Sequence, residues 1–130
     1  MAQKKMILDL DTGVDDALAI AYAVAAPDVD LIGIVSSYGN NLLDVCAKNS
    51  LKLLELLGQT DVPVYKGLPH SSASDHFDVM QVSKDIHGDN GIGDVDLPEP
   101  KRALEEMSGV DFYIEAAHQY GQDLIIIPTG

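Results

Sequence analysis

The chain has 130 residues, with 8 lysine and arginine against 21 aspartate and glutamate, a formal charge of −13. Such a surface repels nucleic acid and anionic membranes, so neither is expected as a partner. Hydrophobic residues at 46% and charged residues at 22% exclude a disordered acidic tail and suit one globular domain.

No apolar run approaches the roughly 18 residues of a membrane span. The basic start is followed only by Met6-Ile7-Leu8 before Asp9, too short for a secretory core. The single cysteine, Cys46, allows no internal disulfide and suits a reducing cytoplasm, the expected location. Of the acidic residues 16 are Asp and 5 are Glu, which concentrates the charge in caps, turns and ligand-binding loops rather than on helix faces.

In chain order, Met6–Leu10 reads as a strand and Asp11–Val14 as a turn. Asp15–Ala26 reads as a helix, apolar nearly all round and therefore expected to be buried, stopped by Pro27. Asp30–Ser36 is a second strand, apolar on both faces like a central parallel strand. Leu42–Leu57 is an amphipathic helix with Leu43, Cys46, Ala47, Ser50, Leu54 and Leu57 near one face. Val62–Tyr65, with an interior proline, is a short strand expected near a sheet edge. Residues 67–100 show no sustained period, and a loop that long is often functional. Lys101–Met107 reads as a helical turn, Asp111–Tyr120 as a helix closed by Gly121, and Leu124–Pro128 as a final strand. Strands alternating with helices give an α/β fold: an open, mostly parallel sheet with helices on both faces.

In such sheets ligands bind beyond the carboxyl ends of the strands. There the sequence puts Asp9, Asp11, Asp15 and Asp16 after the first strand, Asn40 after the second and Thr129 after the last. Four carboxylates within eight residues require raised pKa values or a cation, and a hard divalent ion with oxygen ligands resolves the conflict. Gly13 lets the turn bring Asp11 and Asp16 toward one point, and the helix start adds partial positive charge. Asp9 is expected to brace the loop rather than touch a ligand. Cys46, facing the core, is expected to be inert. His70 and His76 lack metal-ligand spacing, and His118 reads as a surface or packing residue.

The segment Ile7-Leu8-Asp9-Leu10-Asp11-Thr12-Gly13-Val14-Asp15-Asp16-Ala17-Leu18-Ala19-Ile20 resembles the N-terminal signature of the inosine–uridine-preferring nucleoside hydrolases. Four further matches follow in order: Tyr38-Gly39-Asn40, Val62-Pro63-Val64-Tyr65-Lys66-Gly67, Ile86-His87-Gly88-Asp89-Asn90-Gly91-Ile92-Gly93 and Ile127-Pro128-Thr129-Gly130. The resemblance implies a Rossmann-like nucleoside hydrolase fold and cleavage of the N-glycosidic bond of purine or pyrimidine ribonucleosides to base and ribose. It implies Ca2+ held by Asp11, Asp16 and the Thr129 backbone carbonyl. Asp11 would also be the general base that activates water, Asp15 and Asn40 would bind ribose hydroxyls, and His87 would lie on a loop over the nucleoside. The chemistry suits the residues: an oxocarbenium-like transition state is stabilised by nearby carboxylates. A neutral nucleoside needs no phosphate cradle, and no GxxxxGK[ST] loop is present.

Two departures stand out. Thr12 occupies a position where the family commonly has proline. Family members are also far longer, with a further metal-binding Asp, an acid or leaving-group His and additional sugar ligands in their C-terminal half. Residues 1–130 are therefore expected to form a truncated, N-terminal part of a single hydrolase domain, with exposed apolar surface and self-association as a homo-oligomer. Two other readings compete. Asp9-Leu10-Asp11 after an apolar strand resembles the haloacid-dehalogenase-like phosphatases, although Gly13 departs from their motif. A non-catalytic calcium- or sugar-binding remnant is the other.

Overall fold

A computed structural model describes residues 3–130; Met1 and Ala2, at the head of the basic start, lie outside the described residues. The sheet has four parallel strands in the order β3-β2-β1-β4: β1 (Lys4–Leu10), β2 (Val29–Ser36), β3 (Val64–Lys66) and β4 (Leu124–Pro128). Between them run α1 (Val14–Ala25), α2 (Leu43–Leu56), α3 (Gln81–His87) and α4 (Gly109–Tyr120). The expected α/β class, with parallel strands and helices on both faces, is the observed one.

The period-2 alternation of β1 sorts its side chains between two cores. Leu8 and Leu10 join Ile20 of α1 and Ala47, Leu51 and Leu54 of α2 on one face. Ile7 joins Val35, Phe112 and Ala116 on the other, under α4. β2 shifts register against β1 between Met6 and Ile7, so Ile32 has no partner in the ladder and Gly33 pairs with Ile7. Among the described residues no helix is long and apolar enough to cross a membrane.

Four sequence expectations need correction. α1 is not buried all round: Ile20 and Ala23 meet the sheet, but Leu18 and Tyr22 are 74% and 77% exposed. A helix on an open sheet buries one stripe: α1 packs against β2 and α2 and leaves a groove between itself and Ile127 of β4. Residues 101–107 form no helical turn. They are tied down instead by Lys101 N–H to Glu55 Oε2 (2.9 Å) and Glu105 N–H to the Val64 carbonyl (2.9 Å). The stretch read as aperiodic contains α3, seven residues whose buried members are Ser83 and His87. Finally β3 is shorter than expected and starts at Val64, while keeping its place at the sheet edge.

Candidate functional site

The carboxyl ends of β1, β2 and β4 lie side by side, and the loops leaving them meet. β1 ends at Leu10, and residues 11–13 turn into α1. Thr12 is fully buried, with its hydroxyl 2.6 Å from that of Ser50 on α2. Because Ser50 Oγ donates to the Cys46 carbonyl at 3.2 Å, the Thr12 hydroxyl is the donor to Ser50. Residue 12 is thus held in the turn by a hydrogen bond to α2.

Asp11 is gripped by the loop after β2. The Asn40 backbone N–H donates to Asp11 Oδ2 (2.9 Å), and Asn40 Nδ2 donates to the Asp11 carbonyl (3.2 Å). Gly39 is required for this approach, since a β-carbon there would sit 2.3 Å from Asp11 Oδ2. From the other side, the loop after β4 is fixed by Thr129 N–H to the Asp9 carbonyl (2.9 Å). The Thr129 hydroxyl reaches Asp16 Oδ1 at 3.3 Å.

Asp16 is the electrostatically unusual member. It is only 4% exposed, and its Oδ2 is buried with no hydrogen-bond partner among the described residues. Burial, then the charges of Asp15 and Asp11, push its pKa up to about 6. An ionised, orphaned carboxylate oxygen beside a second carboxylate is costly unless a cation supplies the missing partner. Among the described residues no three His, Cys, Asp or Glu side chains cluster tightly enough to hold an ion by themselves. An ion here would therefore draw on neutral oxygens such as those of Thr129 as well as on the two carboxylates.

The remaining residues border this centre. Asp15 is exposed and lines an apolar groove of about 460 Å³ with Leu8, Leu18, Tyr22 and Ile127. His87, 9% exposed at the end of α3, accepts the Val14 N–H on Nδ1 at 3.1 Å. Hydrogen bonds therefore pair Asn40 with Asp11 and Thr129 with Asp16, His87 bonds the first residue of α1, and Asp15 sits at the rim.

Asp9 points to the opposite face of the sheet, where its Oδ2 accepts the Tyr113 hydroxyl of α4. Burial and the Asp9 carboxylate push the Tyr113 pKa up. Tyr113 went unnoticed in the sequence because 104 residues separate the pair. The Asp9 side chain thus braces α4 across the sheet, not the loop that the sequence suggested. Cys46 is fully buried, and burial pushes its thiol up to about 12, which leaves it protonated and unreactive at neutral pH.

The family model described as inosine-uridine preferring nucleoside hydrolase matches residues 6–130. Probable uridine nucleosidase 2 of Arabidopsis thaliana is 35% identical over 128 residues, 98% of this chain and 39% of that protein. Pyrimidine-specific ribonucleoside hydrolase RihA of Escherichia coli O7:K1 is 33% identical over 125 residues, 96% of this chain and 39% of that protein. Among solved structures, the purine-preferring ribonucleoside hydrolase from Gardnerella vaginalis superposes with a TM-score of 0.96 at 54% identity. That superposition covers 98% of this chain and 40% of the other. The chain spans about two fifths of the length of these three relatives.

Proposed function

Since this chain belongs to the inosine-uridine preferring nucleoside hydrolase family, we propose that its strand-end site serves calcium-dependent hydrolysis of the N-glycosidic bond of ribonucleosides. The observation that carries the reading is the buried, unpartnered Asp16 Oδ2 beside Asp11 and Thr129. Asp11, Asp16 and the Thr129 backbone carbonyl would hold the ion. Calcium, when bound, would orient a water molecule and lower its pKa.

The chain's own residues supply the rest. Asp11 accepts the proton of the attacking water as general base. Its carboxylate is already oriented by the Asn40 N–H, so little ordering is needed when substrate arrives. Asp15, exposed at the rim, and Asn40 take ribose hydroxyls, which positions the anomeric carbon over Asp11. As the glycosidic bond lengthens, positive charge builds on the sugar, and the surrounding carboxylates stabilise it. His87 borders the nucleoside from the α3 side.

The phosphatase alternative needs Asp9 as a nucleophile. In the fold the Asp9 carboxylate is taken by Tyr113 on the far face of the sheet, and the family match covers residues 6–130. The binding-remnant alternative differs only in turnover.

The test is cleavage of inosine and uridine, followed as released base, with calcium and with a chelator. Calcium-dependent release that falls by about 10²–10⁴-fold in Asp11→Asn supports the reading. Calcium binding without release from either nucleoside favours the remnant, and no calcium dependence at all overturns the proposal.

A further inference from the structure

α1 begins without a side-chain cap. Its N-cap is Gly13, which has no side chain to offer the free N–H groups of the first turn. The glycine has a steric reason. A β-carbon at residue 13 would lie 2.5 Å from Asn40 Nδ2 and 2.6 Å from His87 Nδ1. A capping Ser, Thr or Asp is therefore excluded from this position by the packing of two other site residues. The Val14 N–H is satisfied instead from 73 residues away, by His87 Nδ1.

The His87 backbone is tied into the loop that follows α3. The Gly93 N–H donates to the His87 carbonyl at 2.6 Å. That loop is stitched to the segment before α2 and to α2 itself by Asn41 Nδ2 to the Asp89 carbonyl (2.9 Å) and Asn49 Nδ2 to the Asn90 carbonyl (2.8 Å). Val14 is followed directly by Asp15 and Asp16. The position of the first turn of α1 therefore sets where both carboxylates stand relative to Asp11.

We propose that His87 is a positioning residue, whose Nδ1 lone pair fixes the first turn of α1 and thereby the Asp15 and Asp16 carboxylates. Accepting the Val14 proton on Nδ1 requires the neutral ring to carry its own proton on Nε2. The imidazole supplies the cap that Gly13 cannot, and Nε2–H stays available as a donor. The consequence for calcium rests on the proposed function of Asp11 and Asp16; the hydrogen bond itself does not.

The test uses the 15N-labelled 130-residue chain. The wild-type ring should show the Nε2–H tautomer. In His87→Phe, which keeps a ring and loses the acceptor, Val14 amide exchange should quicken roughly tenfold and calcium affinity should fall by a similar factor. His87→Gln, whose Oε1 can accept, should recover part of both. An Nδ1–H tautomer in the wild type, or unchanged Val14 exchange in His87→Phe, overturns the proposal. Should the Phe variant fail to fold, the wild-type tautomer decides. If the wild type takes no calcium, the metal reading fails by itself, while tautomer and exchange still decide the role of His87.

Discussion

Asn40 holds Asp11 by two hydrogen bonds of opposite origin, its backbone N–H to the carboxylate and its side-chain amide to the carbonyl. The loop after β2 thereby sets the orientation of the carboxylate after β1. In Asn40→Ala the first bond survives and the second is lost, and stability should fall by about 1 kcal/mol. In Asn40→Asp an anionic oxygen faces the Asp11 carbonyl, so the loss at neutral pH should be larger, about 1–3 kcal/mol. Urea unfolding of the two variants checks the order.

Thr12 and Ser50 form a buried hydroxyl pair that joins the Asp11 turn to α2. Thr12→Val should cost about 1 kcal/mol, because the Ser50 hydroxyl loses its donor in a site that water does not reach. Thr12→Val combined with Ser50→Ala should cost less than the two single changes added together, which a double-mutant cycle by urea unfolding measures.

Asp16 gives the site a definite pH signature. Its folded pKa, about 6, stands above the ordinary aspartate value of 3.8. Between these values the folded chain binds a proton that the unfolded chain does not, so this group makes metal-free stability fall as pH rises from about 4 to 6. Calcium favours the ionised form, so stabilisation by added calcium should grow over the same window. Thermal unfolding at a series of pH values, with calcium and with chelator, reads both slopes.

The groove beside α1 should bind an apolar dye. Leu18, Tyr22 and Ile127 are exposed together there, a larger apolar surface than scattered single residues make. Leu18→Glu with Tyr22→Glu should lower the fluorescence of a bound apolar dye severalfold without unfolding the chain, since both side chains point to solvent. Undiminished fluorescence would place the dye site elsewhere.

Much of this was legible from residues alone, for a topological reason. Parallel strands put their carboxyl ends together, so Asp11, Asn40 and Thr129 could be placed at one edge without knowing any contact. What escaped was carried by single long-range contacts. α3 has only seven residues, and the buried ones are Ser83 and His87, so no apolar period marks it. The His87–Val14 and Tyr113–Asp9 bonds cross 73 and 104 residues and leave no trace in local pattern. The exposure of Leu18 and Tyr22 escaped because composition shows how apolar a helix is, not how many of its sides are covered.

Whether Asp11, Asp16 and Thr129 form a cation site is decided by calorimetric titration of the wild type and Asp16→Asn with calcium. A site built this way binds one calcium per chain, and Asp16→Asn weakens binding roughly a hundredfold. The same substitution leaves the metal-free chain at least as stable at neutral pH, because it removes the buried, unpartnered charge. A wild type that binds no calcium at millimolar concentration, or an Asp16→Asn chain that binds it equally well, would contradict the account.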